Sequence, residues 1–343
     1  MDAVLLIDIG STFTKVCSID LETEKILGTA QSGTTVSDDV CIGLEKAIDL
    51  LVNTIGIVEY SKKLACSSAA GGLAVMVSGL VESLTLKAAR LAAMGAGARI
   101  TKCFHHQLTE EDSQYILEND FDIFLLTGGT DGGNQEIILQ NARRLANINK
   151  PFPVVIAGNR VVAGQCAEIL KQSGKEVHIC PNILPKVDEL NIKPVNELIR
   201  KIFIERITDA KGISKAEKLI DDVLMPTPYS VLSAIELLSE GAGKEPGLGE
   251  IMAVDVGGAT TDVHSVCNGY GDSGNTVFEG FAEPRVKRTV EGDLGVRYNA
   301  NSIISSVTGK PGNPFTTHQK LESILEIIRT NPWIIPALED NRF

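Results

Sequence analysis

The stretches LLIDIGSTFTK, residues 5–15, and MAVDVGGATTD, residues 252–262, follow one pattern. In each copy an apolar run leads to an aspartate, an apolar residue and a glycine, followed by small and hydroxylated residues. An apolar run that ends at glycine and resumes after a few small residues is typical of two strands joined by a tight turn. Equivalent positions of the two copies, Asp8 and Asp255, are 247 residues apart, so the copies predict two related domains rather than a tandem repeat array.

The residue types in these turns suit the binding of phosphate groups. Glycine lets backbone N–H groups approach phosphate oxygens, and serine and threonine hydroxyls add further donors. A carboxylate repels phosphate, but it can hold Mg²⁺ through water. Two such turns, one in each domain, would enclose the phosphates of a nucleotide, with Mg²⁺ between Asp8 and Asp255. A single copy is also typical of a turn whose aspartate caps its own backbone, so this interpretation depends on the repeat.

Composition and charge restrict the class of protein. The chain has 343 residues, 43% of them apolar, which is enough for two domains with buried cores. The net charge of −12 argues against a nucleic-acid-binding surface, which needs basic residues. Scattered cysteines without a CxxC pair predict free thiols in a reducing cytoplasm, and the first strand begins too early for a targeting segment. The uncharged stretch 64–81 contains consecutive glycines, which predict strand, turn and strand rather than a membrane span.

The order of the predicted elements indicates an α/β fold. Strands form an antiparallel meander at the N-terminus, and strands then alternate with helices as far as residue 180. Such alternation predicts a mostly parallel sheet that is covered by helices on both faces. We therefore expect a first domain at residues 1–180, a helical segment and linker at 181–248, and a second domain at 249–343.

The two aspartate-containing turns resemble the phosphate-binding signatures of the actin–Hsp70–sugar kinase superfamily. Four further segments extend the resemblance along the chain: CSSAAGGLAVMVSGLVESLTLKAARLAAMGAGARI, DIFLLTGGTDGGNQE, VVIAGN and MPTPYSVLSAIELLSEG. Together they look like the MutL (GlmL) family, whose members are encoded with glutamate mutase and related adenosylcobalamin-dependent aminomutases. This family shares only a name with the DNA mismatch-repair protein. The resemblance implies an actin-like ATPase fold, similar to ribonuclease H, with two related domains around a nucleotide cleft.

The resemblance also implies a function and a set of site residues. The expected function is ATP hydrolysis by a reactivating chaperone of a B12-dependent mutase, with ATP or ADP and Mg²⁺ as ligands. Asp8 and Asp255 would arrange Mg²⁺ and the attacking water. The phosphate contacts would be Gly10, Ser11, Thr12 and Lys15 in the first turn, and Gly257, Gly258, Thr260, Thr261 and Asp262 in the second. Because the family pattern continues past the last residue of this sequence, we expect the second domain to be incomplete and to stop before the glycine turn on which the superfamily places the purine.

A third glycine-rich turn, TGGTDGG at residues 127–133, follows a predicted strand. Ligands of α/β proteins bind at the carboxyl ends of strands, so Asp131 is a candidate general base, and Gly128 and Gly129 are candidate nucleotide contacts. Alternatively, Asp131 holds a tight turn or caps the helix that is predicted to begin near Asn134.

Two other functions fit the same patterns. A kinase for a small carboxylate or sugar would use Asp131 as the base toward a substrate hydroxyl. A non-catalytic, actin-like scaffold would bind nucleotide and recruit partners. The activators of hydroxyacyl-CoA dehydratases open with a similar hairpin, but they need closely placed cysteines for an iron–sulfur cluster, and this sequence has none.

Overall fold

The computed structural model describes residues 2–35, 39–68, 73–210, 219–268, 281–302, 318–337 and 339–340. It shows an α/β protein in which parallel strand pairs occur in two five-stranded sheets. A third sheet has three antiparallel strands. Within these ranges, no helix combines the length and the apolar character that a membrane span requires.

The strands and helices are numbered in chain order. The strands are β1 Ala3–Ile9, β2 Phe13–Asp20, β3 Lys25–Gly33, β4 Tyr60–Ser67, β5 Ala74–Gly79, β6 Arg99–His105, β7 Ile123–Leu126, β8 Val154–Ile156, β9 Val177–Ile179, β10 Asp222–Pro226, β11 Gly241–Ala242, β12 Glu245–Pro246, β13 Ile251–Val256, β14 Thr261–Val266 and β15 Val286–Glu291. The helices are α1 Val40–Ile55, α2 Lys87–Gly95 preceded by a π-helical turn at Glu82–Leu86, α3 Glu110–Glu118, α4 Glu136–Ala146, α5 Arg160–Gln172, α6 Lys193–Ala210, α7 Thr227–Glu240 and α8 His318–Thr330.

The first sheet has the strand order β10-β4-β1-β2-β3. β1, β2 and β3 are antiparallel neighbours, whereas β4 runs parallel to β1 and β10 runs parallel to β4. One side of β1 carries Leu5, Ile7 and Ile9, which are buried in a core that includes residues of α1. The side chain of Asp39 accepts a hydrogen bond from the backbone N–H of Cys41 and caps α1. The predicted antiparallel meander and the helix that follows it are confirmed.

The second sheet is entirely parallel, with the order β6-β5-β7-β8-β9. Its middle strand β7 is apolar and completely buried because both of its faces are covered. Ile123 and Leu125 lie in a core that includes residues of α2, whereas Phe124 and Leu126 lie in a core that includes residues of α4 and α5. This arrangement confirms the predicted parallel sheet with helices on both faces.

The third sheet has the order β13-β14-β15, and helix α7 connects it to the first sheet. α7 follows β10 directly and packs against all three strands of the third sheet. The short hairpin of β11 and β12 lies between α7 and β13 along the chain. The last strand of the first sheet is therefore joined to the third sheet by one helix.

The strand pairing adds two facts about residues 1–248. Residues 1–180 contribute strands to two separate sheets, because no described strand of the meander pairs with a strand of the parallel sheet. The segment 181–248 contains α6 and α7 as predicted, but it also supplies β10, the edge strand of the first sheet. β10 has only five residues and ends in proline, so its sequence shows no clear strand periodicity.

Other predictions for the second half of the chain had mixed outcomes. The sequence predicts a helix around 316–329, and α8 confirms it. β15 was missed because its six residues include Lys287, Arg288 and Glu291, which obscure an apolar pattern. Residues 276–280 of a strand predicted near Thr276–Phe281 and residues 303–307 of a helix predicted around 293–307 lie outside the described residues. The described residues 293–299 form turns and irregular structure, so that part of the helix prediction is wrong.

A buried ion pair connects β14 and β15 to the second sheet. Arg288 Nε donates to Asp262 Oδ1 at 2.8 Å, and only 3% and 7% of the two side chains are exposed. Arg288 Nη1 also donates to the carbonyl oxygens of Met94 and Ala98, which lie at the C-terminal end of α2. Burial lowers the pKa of the Arg288 guanidinium, and the Asp262 carboxylate opposes that shift. These contacts anchor the third sheet to the helix that covers the second.

Replacement of Arg288 by Met should lower the free energy of unfolding by about 3–5 kcal/mol, because Asp262 then stays buried without a counter-charge. The matched control is Arg285→Met. Arg285 bonds Glu240 at the surface, where an ion pair contributes about 0–1 kcal/mol. Urea unfolding of both variants measures the difference, and equal losses would contradict the buried charge pair.

A buried histidine gives the fold a pH dependence. His264 on β14 is fully buried, and within the described ranges neither of its ring nitrogens has a hydrogen-bond partner. Burial lowers the pKa of His264 from its ordinary value of 6.5, although the neighbouring Asp262 carboxylate raises it. The folded state therefore resists protonation of this ring more than the unfolded state does.

Below about pH 6.5 the unfolded chain gains a proton at His264 that the folded chain does not take up, so stability should fall as the pH drops from about 7.5 to 5.5. The variant His264→Leu removes the titrating group and two unsatisfied nitrogens. It should be at least as stable as the parent near pH 7 and should depend less on pH in that range. Urea midpoints at several pH values test this, and an unchanged pH slope would show that other groups are responsible.

Candidate functional site

The two glycine turns of the repeat are closed by the same backbone hydrogen bond. The Gly10 N–H donates to the Phe13 carbonyl at 3.1 Å, and the Gly257 N–H donates to the Thr260 carbonyl at 2.9 Å. A β-carbon on Gly10 would lie 2.7 Å from the Phe13 carbonyl oxygen, so this closure requires glycine. The flanking strands are antiparallel in both copies, which confirms the predicted strand–turn–strand units.

The two turns face one another across a cavity of about 280 Å³. Asp8 and Asp255 both line it, so the repeat brings its two carboxylates to one space. The other predicted site residues in the lining are Gly10, Ser11, Thr12, Lys15, Gly257 and Gly258. Ser68, Thr227 and Arg297 also line the cavity, and the sequence did not predict these three.

Asp8 has hydrogen-bond donors on both carboxylate oxygens. Thr227 Oγ1 donates to Asp8 Oδ1 at 2.8 Å, and Lys15 Nζ lies 3.2 Å from Asp8 Oδ2. The Cys66 thiol lies 3.7 Å from the same Oδ1. Burial raises the pKa of Cys66 to about 11, and the negative charge of Asp8 adds to the shift, so the thiol stays protonated at neutral pH. The carboxylate is therefore held by one lysine, one hydroxyl and one neutral thiol.

The hairpins touch where glycine leaves space for the opposite turn. A β-carbon on Gly258 would overlap Thr12 Oγ1, so the two turns could not approach this closely with any other residue there. Thr12 is buried, and its hydroxyl has no hydrogen-bond partner among the residues that the structure describes. The Tyr298 hydroxyl donates to the Ser11 carbonyl at 3.2 Å, and the Tyr298 backbone N–H donates to the Gly258 carbonyl at 2.9 Å. Tyr298 therefore bridges the two turns. Because buried hydroxyls normally have a hydrogen-bond partner, the Thr12 hydroxyl is an unusual feature of the place where the turns meet.

Arg297 adds a second cation to the cavity. Its backbone N–H donates to the Gly258 carbonyl at 2.9 Å, and its Nη2 donates to the Ile334 carbonyl at 3.2 Å. Its Nε is buried and lacks a partner within the described part of the chain. No sequence pattern marks Arg297, because it reaches the second turn only through the folding of the loop after β15.

Three predicted phosphate contacts do not line the cavity between the turns. Thr260 Oγ1 lies 3.4 Å from Asp262 Oδ2, and Thr261 Oγ1 donates to the Leu294 carbonyl. Asp262 is neutralised by its buried pair with Arg288. In this structure these side chains stabilise the hairpin and its surroundings.

The third glycine turn lies elsewhere. It follows β7 of the second sheet, and Asp131, Gly128 and Gly129 do not line the cavity between the hairpins. Asp131 Oδ1 accepts hydrogen bonds from the Arg160 backbone N–H at 3.0 Å and from Asn182 Nδ2 at 2.9 Å. The structure therefore places Asp131 at the start of α5, where it contacts the backbone of that helix.

A larger cavity of about 610 Å³ lies on the other side of Asp8. It shares Asp8 and Lys15 with the cavity between the turns, but much of its wall is apolar, including Leu6, Leu64 and Met225. Because phosphate needs several hydrogen-bond donors, the smaller cavity with its two glycine turns and two cations suits an anion better.

The carboxylates of the site suit a hydrated cation rather than a dehydrated one. In the described ranges, no group of three or more histidine, cysteine or acidic side chains could enclose a metal ion. Mg²⁺ commonly uses one or two carboxylates, several waters and phosphate oxygens, which fits Asp8 and Asp255 together with a bound polyphosphate.

The sequence matches one protein family along nearly its whole length. Residues 4–342 match the family model described as MutL protein. The chain belongs to the MutL family. This is the family associated with glutamate mutase, and not the mismatch-repair protein of the same name. "Protein MutL" from Clostridium tetanomorphum is 47% identical over 305 residues, which cover 88% of this MutL-family chain and 66% of that relative. The match therefore spans just under two thirds of the relative's length.

Two solved structures are distantly similar to this MutL-family chain. A flavodoxin from Streptococcus pneumonia TIGR4 is 19% identical, covers 36% of this chain and 93% of its own, and has a TM-score of 0.26. The activator of the 2-hydroxyisocaproyl-CoA dehydratase from Clostridium difficile, with bound ADPNP, is 12% identical. It covers 65% of this chain and 99% of its own, with a TM-score of 0.16. TM-scores this low do not establish a shared fold.

The variant Gly258→Ala should lower the free energy of unfolding by about 1–3 kcal/mol, because the new β-carbon would force the Thr12 turn away. Gly164→Ala is the matched control, since a β-carbon on Gly164 in α5 meets no atom within 4 Å. In a helix alanine is favoured over glycine by about 1 kcal/mol, so the control should be unchanged or more stable. Thermal unfolding compares them, and equal behaviour would show that the turns do not need their close contact.

Proposed function

We propose that this chain is an actin-like ATPase that binds ATP and Mg²⁺ between its two glycine turns. The main support is the shared cavity that Asp8 and Asp255 line from opposite hairpins. The same local hydrogen bond closes both turns, as expected for two related phosphate-binding units. Membership of the MutL family agrees with this proposal.

Different residues of the cavity would donate hydrogen bonds to the phosphates, neutralise their charge and hold Mg²⁺. Backbone N–H groups of the two turns and the unpartnered Thr12 hydroxyl would donate to phosphate oxygens. Lys15 and Arg297 would offset the negative charge. Asp8 and Asp255 would hold Mg²⁺ through its water ligands, and the ion would neutralise charge on the β- and γ-phosphates.

Hydrolysis at this site would depend on positioning and electrostatics. The phosphorus–oxygen bond between the β- and γ-phosphates breaks while a water oxygen bonds to the γ-phosphorus, and the products are ADP and inorganic phosphate. The turns would orient the γ-phosphate for in-line attack, and the carboxylates would accept hydrogen bonds from the attacking water. No covalent bond to the protein is required.

The resulting conformational change would act on a protein partner. α7 follows the first sheet and packs on the third, so a change of the angle between the turns would move both sheets. We propose that a B12-dependent mutase, such as glutamate mutase, responds to this movement and exchanges damaged cobalamin. The support for this partner is the family to which the chain belongs. A cytoplasmic location would follow from such a partner.

A small-molecule kinase that uses Asp131 as its base is less well supported. Asp131 accepts hydrogen bonds from Arg160 and Asn182 and is not part of the lining of the cavity. The nearer carboxylates, Asp8 and Asp255, suit a hydrated metal ion.

The variants Asp8→Asn and Asp255→Asn should each lower Mg²⁺-dependent ATP turnover by about 10- to 100-fold, as expected for carboxylates that contact the metal through water. Asp131→Asn is the control and should retain the parent rate, because Asp131 does not line the cavity. The measurement is phosphate release with and without Mg²⁺, together with calorimetric titration of ATP.

The outcomes separate the proposed functions. A phosphorylated product in a screen of small carboxylates and sugars, lost in Asp131→Asn, would favour the kinase interpretation. Nucleotide binding without turnover, accompanied by nucleotide-dependent sedimentation, would favour a scaffold. A full-length protein that shows neither ATP turnover nor association with a mutase would overturn the proposal.

A further inference from the structure

The segment MPTPYS links three parts of the molecule at the start of α7. Met225 and Pro226 end β10 in the first sheet, and α7 begins at Thr227. Pro228 is buried, and the Arg200 guanidinium lies 3.8 Å from the centre of the Tyr229 ring. The body of α7 packs on the strands of the third sheet. Contacts on both sides therefore fix the backbone of Thr227.

The Thr227 side chain holds the Asp8 carboxylate through a hydrogen bond. Its hydroxyl donates to Asp8 Oδ1 at 2.8 Å, which is a strong geometry for a bond to a carboxylate. The other donor, Lys15, has 58% of its side chain exposed and contacts Asp8 at 3.2 Å. A long, exposed lysine restricts a carboxylate less than a short threonine at the end of a packed strand does. Thr227 is thus the better anchored of the two donors.

We propose that Thr227 is a positioning residue, whose hydroxyl occupies Asp8 Oδ1 so that Oδ2 faces the metal-bound water between the turns. This inference rests on the proposed function, because it concerns the same site. Without the hydroxyl, the carboxylate is free to rotate about its χ2 angle, which is broad for aspartate. Either oxygen of Asp8 can then face the protein donors or the metal-bound water. The water ligand of Mg²⁺ therefore loses a fixed hydrogen-bond acceptor.

The Cys66 thiol cannot take over the role of the Thr227 hydroxyl. Cys66 lies 3.7 Å from Asp8 Oδ1 and 3.5 Å from Thr227 Oγ1. A thiol is a weaker hydrogen-bond donor than a hydroxyl, so it holds Asp8 Oδ1 less firmly. Thr227 is therefore the donor that fixes this oxygen.

The experiment compares Thr227→Val with Thr227→Ser in the full chain. Valine keeps the shape of threonine without its hydroxyl, and serine keeps the hydroxyl. For Thr227→Val, the Mg²⁺ concentration that half-saturates ATP binding should rise about tenfold, whereas ATP affinity in EDTA stays unchanged. Thr227→Ser should restore the Mg²⁺ dependence of the parent.

The ATP titrations with Mg²⁺ and in EDTA distinguish failure of this inference from failure of the proposed function. If the parent chain does not bind ATP with Mg²⁺, the proposed function fails and this inference fails with it. If the parent binds ATP with Mg²⁺ and Thr227→Val shows the same Mg²⁺ dependence, only the positioning role is overturned. An equal loss of ATP affinity in EDTA would show a structural defect, which also overturns the positioning role. Circular dichroism melting of both variants confirms that they are folded.

Discussion

The contact between two glycine turns determines how the rest of the structure is arranged. Gly258 leaves only the space of a hydrogen atom beside the Thr12 hydroxyl, and Tyr298 bonds the backbone of the same turn. Because an aspartate precedes each turn by the same number of residues, this contact brings Asp8 and Asp255 to one cavity. The first and third sheets cannot separate without breaking the contact. The distance between the carboxylates is therefore a property of the whole chain and not of either hairpin.

The two copies of the repeat carry opposite charges at one equivalent position, and this difference affects the electrostatics of the site. The position after the last threonine of each copy is Lys15 in the first hairpin and Asp262 in the second. Lys15 stays partly exposed beside Asp8, whereas Asp262 is buried with Arg288 against the end of α2. The second hairpin thus uses its extra carboxylate to attach to the second sheet. Arg297, from the loop after β15, supplies the cation that the repeat lacks on this side.

The local elements and those site residues that lie in the two hairpins could be predicted from the sequence. Apolar runs, glycine turns and a capped helix are local signals, so both hairpins and α1 follow from short stretches. β10 and β15 could not be predicted because each is short and is stabilised by pairing with distant strands. Thr227 and Arg297 reach the cavity only through tertiary packing. Asp131 does follow a strand as predicted, but the sequence could not show that this strand belongs to a different sheet.

Along the chain, the whole second sheet is inserted between β4 and β10, which are neighbouring strands of the first sheet. β4 ends at Ser67, β10 begins at Asp222, and the strands β5 to β9 are all made from the chain between them. A growing polypeptide therefore releases every strand of the second sheet from the ribosome before the first sheet has its edge strand. Until then the edge of β4 presents unpaired N–H and C=O groups, which is the feature of a sheet most prone to wrong pairing. The inserted sheet folds from consecutive residues, whereas the first sheet has to close a long loop, so it completes later in biosynthesis.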